Sequence, residues 1–167
     1  MSSQRCNVGL SVARTSTQSP HPLGPLIIVT MQLTSLLAFA AAVSSTFAVT
    51  VSYDEAYDNA SVSIEDVVCA DGPRGLNTKG FPTFGSLPTF PNIGGAATVS
   101  GFNSPQCGTC WELTYNGESI NVLAIDHADV GFNISLEAMN TLTDGQAVFL
   151  GQIDASVRQV QASVCGL

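Results

Sequence analysis

Apolar and polar positions alternate over several short stretches after residue 48, a pattern that predicts half-buried β-strands. One such stretch covers residues 49–53, and two more cover 111–115 and 119–126. Asn116-Gly117 separates these last two, which predicts a β-hairpin with a two-residue turn. Apolar runs at 147–150 and 156–164 predict the closing strands.

The helical signals are fewer. Leu136, Met139 and Leu142 recur at helical spacing within residues 135–142, and Asp144-Gly145 follows as a stop. Ser63 stands three residues before Asp66, which predicts the cap of a short helix. Residues 70–108 are rich in Pro and Gly and predict loops with brief strands. Many short strands with one helix indicate a small β-barrel or β-sandwich, and the pattern does not choose between them.

The segment before the first strand has the pattern of a secretory signal peptide. Residues 31–48 form an apolar stretch that ends in the small-x-small sequence Thr46-Phe47-Ala48, and its apolar run, 36–43, is too short to span a bilayer. Cleavage is predicted after Ala48. No Lys or Arg lies between Met31 and the apolar run, and a retained signal anchor is the alternative.

Residues 1–30 carry no usable periodicity. Two accounts fit them: translation starts at Met1, with Arg5 and Arg14 in a long leader, or Met31 is the true start. We favour Met31. A mitochondrial presequence would need an Arg-rich amphipathic face, which this segment lacks. The predicted domains are therefore 1–30 as a leader or mis-assigned start, 31–48 as signal peptide, and 49–167 as the folded domain.

Charge narrows the classes of partner. The chain has 167 residues with a net charge of −8, and after position 48 it keeps three cations against all 13 carboxylates, a net charge of −10. Neutralising phosphates takes a basic face, so nucleic acid is excluded as a partner, and so is an anionic membrane once the signal is removed. The hydrophobic fraction of 45% excludes disorder by composition.

The cysteines favour an oxidising compartment. Cys6 leaves with the leader, so the odd count of five becomes four. Those four admit three pairings, and structural disulfides are favoured. Zinc would need two ligand pairs, whereas only Cys107 and Cys110 have that spacing. A thioredoxin-like redox site would need a helix after the CGTC motif, where a strand is predicted.

Several stretches of residues 49–167 together resemble the cerato-platanin family of small secreted fungal proteins. The four cysteines stand in the family's order around CGTCW, with a YD pattern upstream and GFN downstream. The matching stretches are VSYDEAYD (51–58), CADGPRGL (69–76), FPTFGSLPTFPNIGG (81–95), SPQCGTCWELTY (104–115), AIDHADVGFN (124–133) and the end of the chain at 162–167.

The resemblance implies a fold and a function. The fold is a mainly-β, six-stranded double-psi β-barrel with short helices and the disulfides Cys69–Cys107 and Cys110–Cys165. The function is binding of chitin or N-acetylglucosamine oligomers, expansin-like loosening of cell-wall polysaccharide without hydrolysis, and elicitation of plant defence. The expected partners are these polysaccharides and a plant receptor. The protein is expected to be extracellular, wall-associated, and monomeric with self-assembly at interfaces.

A catalytic pair is not predicted. Inverting glycoside hydrolysis needs two carboxyl groups. Related endoglucanases and expansins have an HFDLS-like segment that supplies the acid, whereas residues 131–135 here read GFNIS and put Asn133 there. An amide neither donates a catalytic proton nor acts as a base. Asp126 then lacks a counterpart, and Asp129 and Glu112 are interpreted as solvated acids. The alternative is an endoglucanase-type hydrolase that uses Asp126.

The candidate site is therefore a binding groove, with no cofactor and no metal. Asp126 and Asn133 supply hydrogen-bonding groups, and by the resemblance the loop of residues 79–83 forms the opposite wall. These wall residues are Lys79, Gly80, Phe81, Pro82 and Thr83. A second alternative is a surface-active, self-assembling wall protein with uncharged Phe/Gly/Pro-rich loops at 80–101.

Two glycosylation sequons bear on the groove. They begin at Asn59 (Asn-Ala-Ser) and at Asn133 (Asn-Ile-Ser). The Tyr-Asp pairs at residues 53–54 and 57–58 are interpreted as structural, because such pairs near a strand end usually anchor turns. A glycan on Asn133 would block the groove, so either that sequon is unavailable to the transferase or the groove lies elsewhere.

Overall fold

A computed structural model describes residues 47–167. The chain forms six strands and two α-helices, with single 3₁₀ turns in the loops between them. In chain order the elements are β1 Phe47–Tyr53, β2 Ile93–Ala96, β3 Cys110–Tyr115, β4 Glu118–His127, β5 Phe132–Ile134, α1 Leu136–Leu142, α2 Ala147–Leu150 and β6 Gln152–Val160.

The six strands close into a barrel in the order β1-β5-β2-β4-β3-β6, and β6 pairs again with β1. Two neighbouring pairs, β1–β5 and β2–β4, are parallel, and the other four are antiparallel. The prediction of a mainly-β six-stranded barrel is confirmed. Closure leaves no sheet edge, so each strand finds both of its hydrogen-bonding partners inside the domain.

Two glycines let the barrel close at β2. A side chain at Gly94 would overlap the carbonyl oxygen of Asn133 on β5, and one at Gly95 would meet the carbonyl oxygen of His127 on β4 at 2.6 Å. Only residues without a Cβ allow backbones to approach this closely. Gly95 is thereby in register with Asp126 on one side and Asn133 on the other.

Apolar side chains fill the barrel and continue into the loops outside it. Val51, Leu113, Val122 and Ile134 are fully buried, and so are Leu76 and Val99 in the long loops. Burial of this apolar surface is the main stabilising contribution to such a domain.

Two disulfides cross-link the domain, one between two long loops and one between β3 and the C-terminal 3₁₀ turn. They join Cys69 to Cys107 and Cys110 to Cys165, the pairs that the resemblance implies. The bridged residues are 38 and 55 positions apart, and loops of that length are worth about 4 kcal/mol each in the chain-entropy model.

The local predictions hold where one turn or cap decides the structure. Asn116 and Gly117 have φ of 50° and 91°, as the hairpin turn between β3 and β4 requires. Ser63 caps the 3₁₀ turn Ile64–Asp66 by accepting from the Glu65 N–H. Ser135 caps α1 by accepting from the Ala138 N–H, and α1 ends at Leu142.

One predicted strand is wrong, and the last strand has different bounds from those predicted. Residues 147–150 form helix α2, because Asn140 Oδ1 accepts from the Ala147 N–H and Gly151, at φ 69°, ends the turn. A four-residue apolar run does not by itself separate helix from strand. The last strand runs over 152–160 instead of 156–164. Gln161 then starts the 3₁₀ turn Ala162–Cys165, which brings Cys165 to its disulfide partner.

The predicted leader and signal peptide fall almost wholly on residues 1–46, outside the described residues. Strand β1 begins at Phe47, and Phe47 and Ala48 pair with Val157 and Ser156 of β6. Cleavage after Ala48 would remove these first two residues of β1. Between residues 47 and 167, no helix has the length and apolar content needed to cross a membrane.

Candidate functional site

Asp126 lies near the end of β4 and is held by three hydrogen-bond donors. Its Oδ1 accepts from the backbone N–H groups of Val68 (3.1 Å) and His127 (2.8 Å), and its Oδ2 accepts from the Tyr57 hydroxyl (3.1 Å). All three partners donate, so the site is arranged around an accepting carboxylate. Asp126 therefore joins the barrel to the segment that carries Tyr57 and Val68.

Tyr57 is the buried member of this group. The residue is 7% exposed, and its ring lies 6.0 Å from the ring of Phe84. Burial, together with the neighbouring Asp126 carboxylate, raises the pKa of Tyr57 well above its ordinary value near 10. The phenol therefore stays protonated and keeps its donor directed at Asp126. Asp54, one turn earlier, caps the 3₁₀ turn Glu55–Asp58.

The loop of residues 79–83 is hydrogen-bonded to the segment at Ser63 and Ile64. The Pro82 carbonyl accepts from the Ile64 N–H at 3.0 Å, and Thr83 pairs with Ser63. Phe81 is half-buried against the core, whereas Lys79 and Gly80 are exposed. The loop is thus fastened to the segment that follows Tyr57.

Asn133 occupies the other side of Gly95. It lies on β5 between β1 and β2, and its Oδ1 accepts from the Ser52 hydroxyl at 3.0 Å. Asp126 and Asn133 are each one strand away from Gly95, which puts their backbones about 10 Å apart from the usual strand spacing. Their side chains belong to separate hydrogen-bond groups.

A depression of about 380 Å³ opens beside Asn133. The β4–β5 loop supplies one wall and the outer face of β1 and β6 supplies the other. Neither Asp126 nor any residue of 79–83 lines this depression, so the structure divides the predicted site residues between two places. The lining residues are Thr50, Ser52, His127, Ala128, Asp129, Val130, Asn133 and Gln152.

The lining offers both polar and apolar contacts. Val130 is 66% exposed, and the Asp129 carboxylate lies 3.6 Å from His127 Nε2. His127 Nδ1 bonds the Val99 carbonyl oxygen, which fixes the ring at the rim. An exposed apolar side chain among amide, hydroxyl and carboxylate groups is suited to a polar ligand with apolar faces.

The other carboxylate considered from the sequence has a different partner. Glu112 on β3 accepts two hydrogen bonds from Arg158 on β6, at 2.6 and 2.7 Å. The hydrogen bonding to Glu112, together with the negative charge of that carboxylate, raises the pKa of Arg158. Within residues 47–167, no three His, Cys, Asp or Glu side chains gather in a metal-binding arrangement.

Sequence reasoning missed the two partners that define the groups, Tyr57 and Ser52. They are 69 and 81 residues away from Asp126 and Asn133. The Tyr-Asp pattern did mark Tyr57 as structural, but no local signal points to its acceptor.

Comparison with known proteins identifies the family. The Cerato-platanin family model matches residues 49–167. The chain belongs to the cerato-platanin family. It is 52% identical over 117 residues to the allergen Asp f 15 of Aspergillus fumigatus, covering 70% of this chain and 76% of that protein.

Solved cerato-platanins have the same barrel. The crystal structure of cerato-platanin 2 from M. perniciosa superposes with a TM-score of 0.70 at 51% identity, over 72% of this chain and 100% of that one. The solution structure of the fungal elicitor Cerato-Platanin superposes with a TM-score of 0.63 at 38% identity, over 70% and 95%. The relatives are thus named as an allergen and an elicitor.

Proposed function

We propose that this cerato-platanin is a secreted, non-catalytic protein that binds chitin or N-acetylglucosamine oligomers, loosens wall polysaccharide and is perceived by plants as an elicitor. The proposal is supported by the family, by the elicitor among its structural neighbours and by the depression at Asn133. The expected location is extracellular and wall-associated.

The observation that carries the proposal is the hydrogen bonding of the Asn133 side-chain amide. Ser52 occupies its Oδ1, and among the described residues its Nδ2 donates no hydrogen bond. An acetamido carbonyl is a suitable acceptor for that Nδ2. Asp129 would accept from sugar hydroxyls, and Val130 would cover an apolar face of the ring.

Binding without cleavage is supported by the environment of Asp126. Hydrolysis by an inverting route needs one carboxylic acid that gives a proton and one carboxylate that activates water. The side chain across Gly95 from Asp126 is an amide, and Asp126 already accepts three hydrogen bonds. In this proposal Asp126 is a positioning residue, and the loop of residues 79–83 stays a predicted second contact region.

The test is a titration of N-acetylglucosamine tetramer followed by amide chemical shifts. We expect shifts at Ser52, Asp129, Val130 and Asn133 that disappear in Asn133→Ala. Asn121→Ala is the matched control, because Asn121 is also half-buried on a barrel strand but lies in a different depression. No response of the wild type at millimolar oligomer would contradict the proposal.

A second candidate function, self-assembly at interfaces, is favoured by exposed apolar side chains on α2. Val148 is 68% exposed and Phe149 is 87% exposed. Phe84 and Phe90 of the loops at 80–101 are buried or half-buried, so the surface-active region would be α2. Tensiometry of Phe149→Ser beside wild type tests this function. Equal surface activity of the two proteins would contradict it.

A further inference from the structure

The two sequons lie in opposite structural settings. Asn59-Ala60-Ser61 is an exposed segment between the 3₁₀ turns Glu55–Asp58 and Ile64–Asp66. Asn133-Ile134-Ser135 is part of the barrel wall, and its Ile134 and Ser135 are completely buried.

The exposed sequon is preorganised. Asn59 Oδ1 accepts from the Ser61 hydroxyl at 2.7 Å and from the Ser61 N–H at 3.1 Å. This Asx turn brings the hydroxyl of the third residue to the amide of the first, and the amide nitrogen donates no hydrogen bond among the described residues. Ala60 packs towards Gly85, so the turn is anchored while Asn59 itself is exposed.

In the barrel sequon, the side chains of Asn133 and Ser135 are already engaged in hydrogen bonds of the fold. Asn133 Oδ1 is held by Ser52, and the Ser135 hydroxyl donates to the Pro91 carbonyl at 2.7 Å while it accepts from the Ala138 N–H at 3.0 Å. β1 and β2 flank the residue on both sides. A glycan there would fill the depression between β1 and the β4–β5 loop.

We propose that Asn59 carries an N-linked glycan and that Asn133 does not. The inference rests on the proposed secretion, since the donor is a lipid-pyrophosphate-linked oligosaccharide of the secretory pathway. Asn59 Nδ2 forms a bond to C1 of the terminal N-acetylglucosamine. The C1–O bond to the pyrophosphate breaks, the lipid pyrophosphate leaves with the electron pair, and Nδ2 gives up one proton to a base of the transferase.

Asn59 is close in the chain to the Asp126 group but is not a member of it. Asn59 is two residues from Tyr57, and its neighbour Asp58 caps α1 by accepting from the Leu136 and Glu137 N–H groups at 2.9 Å. The side chains of Tyr57 and Asp58 form hydrogen bonds to distant parts of the fold, whereas the side chain of Asn59 bonds only within its own turn. Modification at Asn59 therefore leaves the barrel and the Asn133 depression intact.

The full chain expressed in a fungal host with an intact secretory pathway tests the inference. Protein from the medium is treated with a peptide-N-glycosidase in heavy-oxygen water and mapped by mass spectrometry. We expect the isotope label at Asn59 and none at Asn133. Asn59→Gln and Ser61→Ala are expected to reach the medium at the unmodified mass, Ser61→Thr to keep the glycan, and Asn133→Gln to leave the mass of the glycan unchanged.

Two results would overturn the inference, and they differ from failure of the proposed function. Exported protein with unmodified Asn59, or with a glycan on Asn133, contradicts the assignment alone. Protein that never reaches the medium contradicts the proposed secretion, and the inference with it.

Discussion

Asp126 and Asn133 lie on either side of Gly95 in the same barrel, yet their surroundings differ. Asp126 accepts three hydrogen bonds and fastens a distant segment to β4, whereas Asn133 accepts one hydrogen bond and faces an open depression. A side chain with all its partners inside the protein contributes to stability, and one with unused donors at a cavity is available to a ligand. Position along the barrel alone would not separate these two roles.

The largest effect is expected from Asp126→Ala. It leaves the Val68 and His127 N–H groups and the Tyr57 hydroxyl without an acceptor, and an unsatisfied group costs about 1–3 kcal/mol where it is buried, as in Tyr57. We expect a loss of about 3 kcal/mol in the free energy of unfolding, measured by urea denaturation. Asn133→Ala should lose less than about 1 kcal/mol. Equal losses would contradict the distinction between the two residues.

Tyr57→Phe removes only the hydrogen bond from the Tyr57 hydroxyl to Asp126, and so measures one of the three bonds that hold this carboxylate. A hydrogen bond to a charged group is worth about 1.5–3 kcal/mol, and the ring packing against Phe84 is retained. We expect a loss of about 2 kcal/mol. Tyr53→Phe is the control, because the Tyr53 hydroxyl has no hydrogen bond among the described residues. A loss no larger than that of the control would show that the Tyr57–Asp126 bond contributes little.

These contacts also mark where sequence reasoning ends. The hairpin at Asn116-Gly117 and the caps at Ser63 and Ser135 depend on a few neighbouring residues, so local chemistry predicts them. The Tyr57–Asp126 contact depends on barrel closure, which no local pattern encodes. The four residues of α2 were mistaken for a strand because their apolar run fits either structure.

Alkaline pH tests the buried phenol. The folded state raises the pKa of Tyr57, so its contribution to stability is complete below about pH 10, where unfolded tyrosine is also protonated. Above that pH the unfolded state loses a proton that the folded state keeps, and stability falls by up to about 1.4 kcal/mol per pH unit. The difference in unfolding free energy between wild type and Tyr57→Phe should shrink above pH 10. A constant difference between pH 8 and 11 would contradict the assignment.

Substitutions at Asn133 and Asp126 should affect binding in the opposite order to their effects on stability. Asn133→Ala removes the proposed ligand donor, and we expect the oligomer Kd to rise about tenfold, equivalent to about 1.4 kcal/mol. Asp126 does not line the depression, and Asp126→Asn leaves the size of its side chain unchanged. The oligomer Kd of this variant should therefore stay within about threefold of wild type. Calorimetric titration measures both constants. A larger rise for Asp126→Asn than for Asn133→Ala would place the binding site on the Tyr57 side.

The most direct measurement follows binding and cleavage in one sample. Purified protein is incubated with N-acetylglucosamine hexamer while NMR records the protein amides and the anomeric protons of the sugar's reducing ends. We predict amide shifts around Asn133 and a constant number of reducing ends. New reducing ends that vanish in Asp126→Asn would contradict the claim that this barrel binds oligosaccharide without cutting it.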